Sequence, residues 1–178
     1  MNAEEFFAFT ATRPDEEKWE LVDGEPILNA SASFLHQLIA RNLIVVLDRA
    51  AATSQASWVV VPGLGVRVSE IGVPVPDILV RPSGNPIVTE CDDPLIVFEI
   101  LSPSTANRDL RWKRKAYATL PSLSQYVVVA QDAVEVVSYD RKNGFAERRF
   151  ETADGEVDLP VIGARVALRD IYRDTGLL

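Results

Sequence analysis

The chain has 178 residues, 47% hydrophobic and 25% charged, with one cysteine and a formal net charge of -8. This balance predicts one globular domain over residues 1–178 with a sizeable core, and the lone Cys91 excludes an intrachain disulfide. Neither a cleavable signal pattern nor a long apolar span is visible, so a cytoplasmic protein without membrane association is expected, and the acidic balance excludes coating nucleic acid through overall charge.

In chain order, Asn2 followed by Glu4 and Glu5 predicts a capped helix that ends near Arg13-Pro14. Asp23-Gly24 between Trp19-Glu20-Leu21-Val22 and Glu25-Pro26-Ile27-Leu28 predicts a two-residue hairpin, with Pro26 at an edge or bulge. Leu35, Leu38, Ile39, Leu43, Val46 and Leu47 recur at helical spacing, so residues 33–52 read as a long amphipathic helix capped by Ser31 or Ser33. Strands are expected over residues 57–61 and 64–68, joined as a hairpin by Pro62-Gly63. A further strand over 78–80 follows Pro76-Asp77, and residues 81–94 have the composition of a loop.

Residues 95–101, L-I-V-F-E-I-L, read as a strand buried on both faces, left through Ser102-Pro103-Ser104. A helix over 107–120 stops at Pro121, and a Val-rich strand over 126–130 follows. The segments 134–139, 145–150 and 165–168 alternate as an antiparallel set, with Asn143-Gly144 turning between two of them. The order predicts an α/β fold, a mixed β-sheet flanked by helices with additional antiparallel strands.

Glu99 interrupts the most apolar stretch of the chain, and an ionised carboxylate there is costly unless a cation, a metal or several donors meet it. On the following helix Leu110, Lys113, Tyr117 and Leu120 share one stripe, while Arg111, Arg114 and Lys115 fall opposite. Lys113 is thus the basic residue aimed at the core, and Glu99 is its natural anion. Asp77, at the start of another apolar strand, supplies a second carboxylate at the same end of the sheet. Two carboxylates and a lysine are the inventory of metal-assisted phosphodiester hydrolysis: Asp77 and Glu99 as ligands of Mg²⁺ or Mn²⁺, the lysine on the attacking water.

At these residues the sequence resembles the PD-(D/E)XK nuclease superfamily and, more closely, the Uma-type endonuclease family with its restriction-endonuclease-like fold. The matching pieces are residues 19–25 (WELVDGE), His36-Gln37, Val75-Pro76-Asp77-Ile78, residues 98–105 (FEILSPST), the ordered set Asp109, Lys113 and Tyr117, and Gln125-Tyr126. The resemblance implies a metal-dependent endonuclease acting on DNA, with Asp77, Glu99 and Lys113 catalytic. It also implies that Glu20 borders the cleft, and Glu20 and His36 are further candidates for the catalytic set. In the wider superfamily the lysine stands two residues after the glutamate, a slot held here by Leu101; resemblance to the closer family passes that role to Lys113.

Each residue has a plainer alternative. Glu99 and Lys113 make a structural ion pair, Asp77 serves turn chemistry after Pro76, Glu20 faces solvent, and His36, the single histidine, is hydrogen-bonded structure. Ser102 and Ser104 lack a second histidine for a triad and suit turns and caps, and Cys91 has no ligand partner nearby. Arg108, Arg111, Arg114 and Lys115 suit DNA phosphates or a solvated helix face, and Lys115 stays open beside Lys113 as the lysine of the site. The alternative function is a nuclease-fold module without catalysis, for DNA binding or self-assembly. Strand edges near the C-terminus favour a homodimer.

Overall fold

The computed structural model describes residues 1–54, 56–84, 88–101 and 109–178. Along these the chain runs α1 (Ala3–Thr10), β1 (Lys18–Val22), β2 (Glu25–Asn29), α2 (Phe34–Ser54), β3 (Trp58–Pro62), β4 (Gly65–Val66), β5 (Ile78–Pro82), β6 (Glu90–Cys91) and β7 (Ile96–Leu101). It continues through α3 (Asp109–Ala118), β8 (Gln125–Ala130), β9 (Val136–Asp140), β10 (Ala146–Phe150), β11 (Glu156–Leu159), β12 (Ala164–Ala167) and α4 (Leu168–Ile171). The Ser102-Pro103-Ser104 turn, the expected helix start at Asn107, and Arg108 lie outside the described residues, as does the side chain of Leu110.

Among the described residues the principal sheet has six strands in the order β10-β9-β8-β7-β5-β3. β7 and β8 run parallel, joined across α3, and every other neighbouring pair is antiparallel. An interior strand must bury both faces, which explains the continuous apolar run of β7. Its alternation sorts the two sides: Ile96, Phe98 and Ile100 pack with Ile39, Leu43 and Leu47 of α2, whereas Val97 packs with Tyr117 of α3, Leu123 and Tyr126. The expected mixed sheet flanked by helices is the observed architecture. Asn42, fully buried on α2, donates to the carbonyls of Ile171 at 2.9 Å and Arg173 at 2.8 Å and so ties α2 to the end of the chain.

Local chemistry sets the ends of these elements. Asn2 accepts the Glu5 N–H while the Glu5 carboxylate accepts the Asn2 N–H, a reciprocal cap on α1. Ser33 Oγ accepts the His36 N–H at 3.1 Å and caps α2. β1 and β2 form the expected hairpin, with Asp23 at φ 49° and Gly24 at φ 83°, the paired positive angles that a two-residue turn requires.

Three expectations are corrected. Residues 57–68 do not form a hairpin: β3 pairs with β5, from Trp58 opposite Pro82 to Pro62 opposite Ile78, and β4 pairs in parallel with β6. Pro62-Gly63 bends the chain without choosing its partner; Ile78, Leu79 and Val80 are fully buried and need a strand on each side. β6 itself falls within the stretch expected to be loop. At the C-terminal end β9 and β10 pair as expected around Asn143-Gly144, but β12 leaves that set to pair with β11. Val157, Leu159 and Val166 of this second hairpin face the α2 side of the core.

Candidate active site

Glu99 is the fourth residue of β7 and is 5% exposed. The register that sets Ile78 opposite Phe98 brings Asp77, one residue before β5, next to the Glu99 end of β7. Asp77 Oδ2 accepts the Ile100 N–H at 2.7 Å, which fixes that carboxylate on the neighbouring strand. Its other oxygen lies 3.2 Å from His36 Nε2, at the start of α2.

Glu20 arrives from the β1–β2 hairpin. Leu21 and Val73 bridge this hairpin to the segment before β5, exchanging hydrogen bonds in both directions. Glu20 is consequently 4% exposed rather than facing solvent, and Glu20 Oε1 accepts the Val75 N–H at 2.7 Å.

Lys113 points inward from α3, as its place on the apolar stripe predicts, while Lys115 is exposed. Lys113 Nζ donates to Glu20 Oε1 at 2.8 Å and to Glu99 Oε1 at 3.0 Å. One turn further along α3, the Tyr117 hydroxyl donates to the same Glu99 oxygen at 3.2 Å. Sequence reasoning placed Tyr117 on the stripe but gave it no part in the site; its position four residues after Lys113 was the available signal.

Charge is unevenly matched here. Burial pushes the Glu99 carboxyl up to about 8; Lys113 pulls it down, and Asp77 and Glu20 push it further up. Burial acts to lower the Lys113 ammonium, yet Glu99 and Glu20 outweigh it and hold that group above the ordinary lysine value. The Tyr117 phenol is raised by burial and then by the Glu99 charge, so it stays a donor.

Glu20, His36, Asp77, Glu99, Lys113 and Tyr126 all line one cleft of about 1220 Å³, whose rim also carries Arg13, Lys18 and Arg41. His36 Nδ1 and the Tyr126 hydroxyl are buried there without a hydrogen-bond partner. The structure thus brings together the five residues singled out in the sequence. Cys91 lies apart from that cleft's lining, its thiol pushed up to about 11 by burial, which fits an inert role. Arg111 is exposed, and Arg114 stacks its guanidinium 4.9 Å from the Tyr139 ring. Among the described residues no cluster of three or more His, Cys, Asp or Glu is arranged as a metal cage.

A six-stranded mixed sheet with a parallel pair at its centre, helices on both faces and carboxylates at two neighbouring central strands defines a restriction-endonuclease-like fold. The crystal structure of "a putative nuclease belonging to DUF820" from Anabaena variabilis superposes with a TM-score of 0.80, over 97% of each chain at 17% identity, a likeness of fold. The family model described as "Uma2: Putative restriction endonuclease" matches residues 3–168, and the chain belongs to this family. An uncharacterized protein of Synechocystis, slr1290, is 33% identical over 82 residues, which span 45% of this chain and 43% of that protein.

Proposed function

We propose that the protein is a divalent-metal-dependent endonuclease that hydrolyses phosphodiester bonds of DNA. The observation that carries this reading is the meeting of Asp77, Glu99 and Lys113 in one cleft, from two neighbouring strands and one helix. Family membership supports the nuclease class, and restriction-endonuclease-like families generally use divalent metals.

The donor set fits such an ion. Glu20 and Glu99 share Lys113 while Asp77 has no lysine partner among the described residues, and the negative charge of Asp77 and Glu20 is part of what lifts Glu99. Mg²⁺ needs one or two carboxylates and keeps several waters, so a dedicated protein cage is not required. Asp77 and Glu99 would hold the ion, Mg²⁺ or Mn²⁺, with Glu20 as the second anchor of Lys113. When bound, the ion supplies Lewis-acid charge to the scissile phosphate.

The chain's own groups do the rest. The Lys113 ammonium donates to the attacking water and meets developing negative charge on the phosphate. Tyr117 and Lys113 together fix the Glu99 carboxylate, and the Ile100 N–H fixes Asp77. His36 steadies the other Asp77 oxygen from α2. Arg13, Lys18 and Arg41 stand at the rim of the cleft beside Asp15 and Glu17, and these three cations would meet a phosphate backbone there.

The test is cleavage of supercoiled DNA with Mg²⁺ or Mn²⁺ by the wild type and by Glu99→Gln and Asp77→Asn. Metal-dependent cleavage lost in both variants supports the reading. The alternative, a nuclease-fold module that binds DNA or self-assembles without cutting, has one observation in its favour: Leu101 stands where the wider superfamily carries its lysine. It predicts DNA retention without products.

We also propose association in pairs, supported by the outer edge of β10, which has no neighbouring strand among the described residues. Light scattering that returns the mass of one chain would exclude it. No helix among the described residues is long and apolar enough to cross a membrane.

A further inference from the structure

Six polar or charged residues are buried among the described ones: Glu20, Asn42, Glu99, Gln125, Ser138 and Asp140. Glu20 and Glu99 belong to the cleft, and Asn42 holds the chain end through two carbonyls. The remaining three all line a second cavity, of about 370 Å³, between β8, β9, β10 and the β11–β12 hairpin. Gln125 pairs with Ile96 at the start of β8, whereas Glu99 pairs with Val128, so this cavity lies toward the opposite end of the sheet from the carboxylate cleft.

Within it the acceptors outnumber the donors. Gln125 Nε2 donates to Ser138 Oγ at 3.0 Å and to the Asp158 carbonyl at 2.8 Å. That carbonyl demands a donor, so the amide cannot be flipped, and Gln125 Oε1 is left buried with no partner. Asp140 is 7% exposed, and its carboxylate has one side-chain donor among the described residues, the Ser138 hydroxyl at a long 3.4 Å. It makes no cap on the turn that follows it and no ion pair with a described residue. A buried carboxylate and an orphaned amide oxygen side by side leave a cost that a cationic N–H donor removes. Lys142, Arg148 and Arg165 stand exposed around the same cavity, Arg165 in an ion pair with Asp158 at 2.8 Å.

We propose that this cavity is a binding site for a small zwitterion, a primary ammonium seated inward on Asp140 and Gln125 Oε1 with a carboxylate turned outward to Lys142 and Arg148. The volume suits a ligand of amino-acid size, at the small end of the range for ligand sites. The site is independent of the nuclease reading, because none of its residues lines the carboxylate cleft.

The test uses the whole chain and four probes, β-alanine, γ-aminobutyrate, butylamine and butyrate, by calorimetry and thermal shift. The ω-amino acids are expected to bind and to raise the melting temperature, butylamine to bind more weakly, and butyrate not at all. Asp140→Asn, which keeps shape and hydrogen bonding, is expected to weaken binding at least tenfold, and Arg148→Ala, at an exposed position, severalfold. A conserved melting temperature in Arg148→Ala guards against loss of fold as the explanation. No binding of any amine at 10 mM, or equal binding by Asp140→Asn, would overturn the proposal.

Discussion

The Lys113 ammonium lies 2.8 Å from the carboxylate of Glu20, 93 residues away in sequence. This contact and the one to Glu99 at 3.0 Å make Lys113 the cation that joins the N-terminal hairpin, the central sheet and α3. Its removal leaves two buried carboxylates without their cation. Lys113→Met is therefore expected to destabilise the fold by about 3–5 kcal/mol in urea denaturation, as breaking a buried pair does. Glu99→Gln combined with Lys113→Met should recover part of that loss, and a double-mutant cycle with additive effects would deny the coupling.

Stability should depend on pH through Glu99. Its carboxyl is raised from the ordinary 4.5 to about 8, chiefly by burial. Between those values the folded chain holds a proton that the unfolded chain has released, so stability falls as pH rises through this window and the loss is complete above about 8. Glu99→Gln removes the titration while Lys113 keeps Glu20. The variant is expected to exceed the wild type at pH 9 by on the order of 2 kcal/mol, the gap closing toward pH 5. Parallel stability curves for the two proteins would contradict the assignment.

Metal affinity should follow the same proton. A divalent ion held by Asp77 and Glu99, as proposed, would have to displace it, so Mn²⁺ affinity measured by calorimetry is expected to rise about tenfold per pH unit between about 6 and 8 and to level off above. Asp77→Asn keeps an oxygen to accept the Ile100 N–H and so should keep its melting temperature. Its Mn²⁺ affinity should nonetheless fall at least about tenfold. Equal affinity in that variant would remove Asp77 from the ligand set.

Much of this was legible in the sequence because single residues carried strong local physics. Glu99 inside an unbroken apolar strand and Lys113 on an apolar helical stripe each required a buried counterpart, and they found one another. Asp23-Gly24 specified its turn for the same reason, since few residues accept two successive positive φ angles. Strand partnership was not legible. Pro62-Gly63 signals a reversal, but whether Val59 and its neighbours pair backward with the next segment or forward with β5 depends on which strand must be covered on both sides. Tyr117 and the backbone donors at Val75 and Ile100 were hidden likewise, because they enter the site only once the hairpin, the sheet and α3 are docked.

The most direct measurement is the rate at which supercoiled, linear and single-stranded DNA is cut in Mn²⁺ by the wild type beside Glu99→Gln. The expected result is cleavage by the wild type that stops on chelation and falls at least about a thousandfold in the variant, the scale of losing a group that acts in the transition state. Equal rates in the two proteins, or intact DNA of every form with the wild type, would contradict the central claim that Asp77, Glu99 and Lys113 form a nuclease centre.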